Sequence, residues 1–118
     1  MKRITLSVTT DASGDGSTKQ SVGGVLGLLY AVQLVDGSFD DGVDVTLTAE
    51  QGDLSIPLLV KANFNSDQMV YPRVLEALNG DGTDLATHTM PIVAGSLKAL
   101  VAAGGNVKSG SFVFYIIE

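Results

Sequence analysis

Between Val43 and Glu50 the chain reads VDVTLTAE, and the alternation is strict: Val43, Val45, Leu47 and Ala49 on one side, Asp44, Thr46, Thr48 and Glu50 on the other. Successive side chains of a strand point to opposite faces, whereas a helix would scatter these apolar positions around its circumference. The segment therefore reads as a half-buried strand. QGD then makes a tight turn into LSIPLLVKANF, so residues 43–50 and 54–64 are expected to form a β-hairpin. Pro57 has no N–H to give to a central ladder, which makes the second strand an edge or bulges it there. The same alternation opens the chain, with Ile4, Leu6 and Val8 facing one way and Thr5, Ser7 and Thr9 the other.

The remaining segments are read against these strands. DASGDGSTKQSVGG, residues 11–24, is expected to be a long polar loop, of the kind that in a compact domain is functional or mobile. Residues 25–35 read as a strand, because Gly23, Gly24 and Gly27 at the start argue against a helix. DGSFDDG, residues 36–42, is turn chemistry. In residues 65–90, Val70, Val74, Leu75 and Leu78 fit a short helix near 73–79, and the same stretch fits a strand around Met69 to Arg73 followed by a loop. The strand is preferred, since the residue before Pro72 is pushed to extended geometry. A short strand after Pro91 and another over 97–102 lead into GGNVKSG, in which Gly104, Gly105 and Gly110 offer positive-φ positions, and which is expected to pair SLKALVA with SFVFYIIE as a closing hairpin. That last strand, with Phe112 to Ile117 almost continuously apolar, is expected inside a sheet with cover on both faces, one from the core and one from a neighbouring subunit. About seven short strands without helical crossovers predict an all-β fold, an antiparallel sandwich or barrel, with residues 1–118 as a single domain.

Composition narrows the chemistry. With no cysteine there are no disulfides, thiol nucleophiles or thiolate metal sites. A net charge of −6 with seven scattered basic residues is expected to repel nucleic acid. The residues after Lys2 and Arg3 never form the apolar run of an export signal, and residues 22–35, with three glycines and a glutamine, fall short of a membrane helix, so no membrane partner is expected. His88, the single histidine, sits in ATHTM without a nucleophile elbow near any serine, and SVGGVLG lacks the Lys-Ser/Thr of a phosphate loop. No enzymatic activity and no cofactor are expected. Acid-glycine loops at Asp11 and Asp15, at Asp36, Asp40, Asp41 and Asp44, and at Asn79, Asp81 and Asp84 have the oxygen donors that Ca²⁺ takes, with Asp81 and Asp84 the weak metal candidates. The spacing breaks the EF-hand rule, and the same residues are the ordinary turn formers of β proteins. VYPR places Tyr71, Pro72 and Arg73 together, a combination suited to an interface anchor and equally to packing at a core edge.

Taken in order, TLSVTTDASGDGS, YPRV and PIVAGSLKALVAAGGNVKSGSFVFYI resemble a family of small virion proteins of tailed bacteriophages and prophages, some of them head decoration or cement proteins. The resemblance implies a structural protein on the capsid exterior, made in the host cytoplasm, that binds the major capsid protein lattice as a homo-oligomer, a trimer by analogy, and reinforces it. The contacts it implies are the loop carrying Asp11 and Asp15, the corner Tyr71, Pro72 and Arg73, and Tyr115 on the last strand. Two alternatives are a tail, neck or fibre structural protein and a calcium-dependent carbohydrate-binding adhesion domain.

Overall fold

A computed structural model describes residues 1–21, 26–77 and 84–118, with the side chains of all but 75–77 and 84–87. The described elements are strands throughout: β1 (Lys2–Thr9), β2 (Gly16–Ser21), β3 (Gly27–Val35), β4 (Val43–Gln51), β5 (Leu54–Phe64), β6 (Gln68–Val70), β7 (Val74–Ala77), β8 (Asp84–Thr89), β9 (Ile92–Val93), β10 (Ser96–Ala102) and β11 (Ser109–Ile117). They build two antiparallel sheets, as expected of a β-sandwich. The first has the order β1-β11-β3-β6, with β9 also on β3, and the second the order β2-β10-β4-β5. β7 and β8 pair with each other.

The alternation read in the sequence is the alternation of burial. Ile4, Leu6 and Val8 of β1, Val43, Val45, Leu47 and Ala49 of β4, and Phe112, Phe114 and Ile116 of β11 all enter one core between the sheets. β4 and β5 form the expected hairpin, and β5 is an edge strand whose ladder shifts register between Leu47 and Thr48, where Thr48 faces Pro57. Both accommodations for a proline are thus made at one place. At the opposite edge the sandwich is closed by a seam: the Thr18 hydroxyl of β2 donates to the Ser7 carbonyl of β1 at 2.7 Å.

Several expectations are corrected. Among the described residues eleven strands replace about seven, because short segments also pair, the polar GSTKQS among them. GSTKQS has almost no apolar side, yet it is strand β2, held along β10 by its backbone, so residues 11–24 are not one long loop; 22–25 lie outside the described residues. The helix near 73–79 is replaced over Val74–Ala77 by strand β7, and the rest of that range lies outside the described residues. GGNVKSG does not close a hairpin: β10 pairs with β2 and β4, whereas β11 pairs with β1 and β3, so the turn carries the chain from one sheet to the other.

The glycines of that turn work differently from expectation as well. Gly105 has φ +93, but Gly104 and Gly110 are needed for their lack of a side chain: a Cβ on Gly110 would strike the ring of Phe39, a buried plug that shuts this end of the core, and one on Gly104 would crowd the Thr10 methyl group. The other left-handed residues of the turn are Ala103 (φ 59) and Val107 (φ 50). Turns 10–15, 36–42, 65–67 and 103–108 all pass between the sheets at this end and bond to one another: Gly104 N–H donates to Gly14 O (2.9 Å), Asp40 N–H to Gly104 O (3.0 Å), and Asp36 N–H to Asp67 Oδ1 (2.8 Å).

Candidate interaction surface

The outer side of the five-stranded sheet is unlike the rest of the molecule. On β3, Leu28 and Tyr30 point outward, and on β11, Val113, Tyr115 and Ile117 do, with Leu28 directly opposite Ile117. A register shift between Tyr115 and Ile116 inserts one extra β3 residue, Tyr30, between Leu29 and Ala31. The bulge breaks the parity of β3, so that Ala31 and Val32 are both buried in succession. Ala31, opposite Tyr115, becomes a low floor with larger side chains standing around it.

The result is a depression of about 280 Å³ lined by Met1, Tyr30, Ala31, Met69, Tyr71 and Tyr115. The chain has three tyrosines, and all of them stand here, brought from β3, β11 and the extended residues after β6. Tyr30 and Tyr71 meet edge to face, with ring centroids 5.8 Å apart and planes at 81°. Arg73 lies over the Tyr30 ring, 5.9 Å from its centroid, while its Nη1 donates to the carbonyls of Tyr30 (3.0 Å) and Pro72 (2.6 Å). The guanidinium is thereby fixed against the backbone. The Tyr115 hydroxyl donates to Gln33 Oε1 at 3.3 Å. Arg3 on β1 is directly opposite Tyr115, on the same outward side. A second apolar depression, about 340 Å³, continues the strip at Leu26, Gly27, Leu28, Ile92, Ile117 and Glu118.

Charge sets this face apart too. The protein has 13 carboxylate side chains, yet β1, β3, β6, β9 and β11 carry none. Arg3 and Arg73 have no ion-pair partner among the described residues, whose salt bridges join Glu50 to Lys19 (3.2 Å) and Lys98 (3.8 Å) on the other sheet.

Of the residues singled out from sequence, Tyr71, Arg73 and Tyr115 meet around one depression, and Pro72 is buried beneath them. Asp11 and Asp15 lie elsewhere, in the inter-sheet turns. Asp11 Oδ1 accepts the N–H groups of Ser13 (2.8 Å) and Asp15 (3.1 Å), so it shapes its own turn, and the segment from Gly16 that was expected to be free for binding is a paired strand. Asp81 lies outside the described residues, and Asp84 opens β8 with its side chain outside them. His88 is exposed on β8, opposite Leu75. Within the same turn end, one oxygen of Asp36 is buried without a hydrogen-bond partner, and burial, then the charges of Asp41 and Asp67, raise its pKa above the ordinary aspartate value.

Sequence reasoning missed Tyr30, Met69 and Ala31. Their signal is faint: in LLYAVQLV a small alanine interrupts the large residues where the alternation changes phase. Compared with protein-family models, with curated proteins and with solved structures, the chain matches none.

Proposed function

We propose that the protein is a structural subunit of a larger assembly, that a neighbouring protein covers the outer side of its five-stranded sheet, and that the assembly is a tailed-phage head whose capsid lattice it decorates. The observation that carries the first part is the outer face of a sheet whose five strands hold no carboxylate and on which all three tyrosines converge. Exposed tyrosine and methionine with arginine at the margin is the composition of protein interfaces, where aromatic anchors fill depressions and their surroundings exclude water. The phage setting rests on the sequence resemblance. As a decoration protein the subunit would act by linkage: a ligand that binds only the assembled lattice shifts the equilibrium towards it and raises the temperature at which it breaks.

The experiment is to mix the purified protein with expanded capsids that lack it, sediment them, and heat the decorated and bare particles in parallel. Saturable co-sedimentation and a higher disruption temperature are expected. Failure to bind, or binding that leaves the disruption temperature unchanged, sinks the decoration role. Recovery of the protein from isolated tails and not from heads would move it to the tail or neck.

A further inference from the structure

The covered face has a complement elsewhere on the same molecule. The turns 10–15, 36–42, 65–67 and 103–108 gather Asp11, Asp15, Asp36, Asp40, Asp41 and Asp67 at one end of the sandwich against the single cation Lys108. Among these turns one large apolar side chain is exposed, Val107, at 65%. Its φ of 50° is a conformation that a β-branched residue seldom adopts, and its N–H is tied to the Asp11 carbonyl at 3.2 Å. Val107 is therefore an apolar knob held out among aspartates, at a backbone cost that glycine would avoid.

We propose that a second copy of this chain docks by this end, with Val107 entering the depression between Tyr30, Tyr71 and Tyr115 and the aspartates around it facing Arg3 and Arg73. The inference rests on the reading above, that a protein neighbour covers the sheet, and names that neighbour. Three observations select this occupant. The depression is apolar with two arginines that lack carboxylate partners among the described residues, so it favours an apolar group flanked by negative charge. The inter-sheet turns present that combination. Two copies placed face to face about a two-fold axis would instead bring four arginines together on an apolar plane whose strands hold no carboxylate and where, among the residues lining the two depressions, Glu118 alone is acidic, which is repulsive on balance.

Knob and depression lie on different parts of the subunit, so the contact is head-to-tail. Ser109 beside the knob and Tyr115 in the depression are six residues apart on β11, about 20 Å at the rise of a strand. A head-to-tail contact repeats from copy to copy until a ring closes, or else continues as a filament. A closed ring of three would satisfy the trimer implied by the sequence resemblance.

Sedimentation velocity of the full chain over a concentration series tests this. The wild type should form oligomers that loosen several-fold as salt rises from about 0.05 to 0.5 M, since screening weakens the charged rim. Val107→Gly and Tyr71→Ala should each weaken association by about tenfold or more. Mixed in equal amounts, the two variants should recover a dimer and stop there, because one keeps an intact depression and the other an intact knob. Val107→Gly relaxes the strained φ, so its thermal unfolding midpoint should equal or exceed that of the wild type, which separates lost docking from lost folding. If Tyr71→Ala dissociates the oligomer and Val107→Gly does not, the face is an interface but the knob is not its partner, and only the head-to-tail inference falls. A wild type that stays monomeric at every concentration overturns it as well, while capsid binding measured separately decides the proposed function.

Discussion

On the outer side of β4 and β10 the side chains are mostly polar, Asp44, Thr46, Thr48, Glu50, Ser96 and Lys98, with Leu100 and Ala102 the apolar ones, and Glu50 is clamped between Lys19 and Lys98. On the outer side of β3 and β11 they are mostly large and apolar or aromatic, Leu28, Tyr30, Val35, Val113, Tyr115 and Ile117, with Gln33 and Ser111 polar. Both pairs of strands send equivalent apolar rows into the core, so the demands of the sandwich are met equally by each sheet. What differs is what each sheet does with the side that folding leaves free. A solvated sheet needs polar outward residues, and four-stranded β2-β10-β4-β5 has them. The five-stranded sheet keeps an aromatic strip there, which the core does not require, deepened by the bulge that lets Leu29, Val32 and Leu34 all enter the core.

The sharpest way to separate folding from docking is within β11, where neighbouring residues face opposite ways. Phe114 is fully buried between the sheets, and Phe114→Ala should cost about 3–5 kcal/mol of stability, read by denaturant unfolding, because it removes a ring from a core that cannot collapse to fill the space. An effect below about 1 kcal/mol would mean that this sheet is not packed as described. Next in size is the plug. A methyl group at Gly110 would collide with the Phe39 ring and the Val35 carbonyl, so Gly110→Ala should cost about 1–3 kcal/mol by overpacking, seen as a lower unfolding midpoint.

The two faces also differ in how well the sequence announces them. Inward positions are legible because burial imposes period two, and β1, β4, β10 and β11 follow it almost without exception. The β4–β5 hairpin was readable from its turn, and the edge position of β5 from Pro57. Strand β2 was not, since an edge strand is held by backbone hydrogen bonds and a seam, and GSTKQS has no apolar row to betray it. The partner of β11 was misread because a glycine turn fits a hairpin and an inter-sheet crossing equally, and the contact that makes Gly110 a glycine, the ring of Phe39, lies far away in sequence. Tyr71, Arg73 and Tyr115 were recognisable as anchors, but their convergence depends on one register shift between β3 and β11, which no local pattern encodes.

A charge placed on each face sharpens the contrast. Tyr115→Lys puts a third cation beside Arg3 and Arg73 in the depression, and should weaken association by about tenfold or more in sedimentation while leaving the monomer folded by circular dichroism. Thr46→Lys, at a half-buried outward position on β4, should leave association within about twofold of the wild type, as a rim or remote charge does. Equal loss from both substitutions would place the interface on neither face in particular.

The smallest effects are electrostatic, and the acidic turn end and the charged outer side of β4 should show them with opposite signs. Burial, then Asp41 and Asp67, raise the Asp36 carboxyl above its ordinary value of 3.8. The folded state therefore holds that proton more tightly than the unfolded chain does. Stability is unpenalised in acid, is lost as pH rises from about 3.8 towards the raised folded value, and stays reduced at neutral pH. Asp36→Asn removes the ionisation, and a neutral amide is cheaper to bury than a carboxylate, so it should raise the unfolding midpoint at pH 7 and lose that advantage near pH 3. Glu50 runs the other way, because the hydrogen bond from Lys19, helped by the charges of Lys19 and Lys98, lowers its pKa. Its contribution is present above the ordinary glutamate value and disappears as pH falls through the lowered folded value, so Glu50→Gln should lower the midpoint at pH 7 and converge with the wild type in acid. Melting curves of both variants across this range should diverge from the wild type in opposite directions at pH 7. A fall in midpoint for Asp36→Asn at neutral pH would mean that its buried oxygen has a partner, and that the acidic end is held together by Asp36 rather than strained by it.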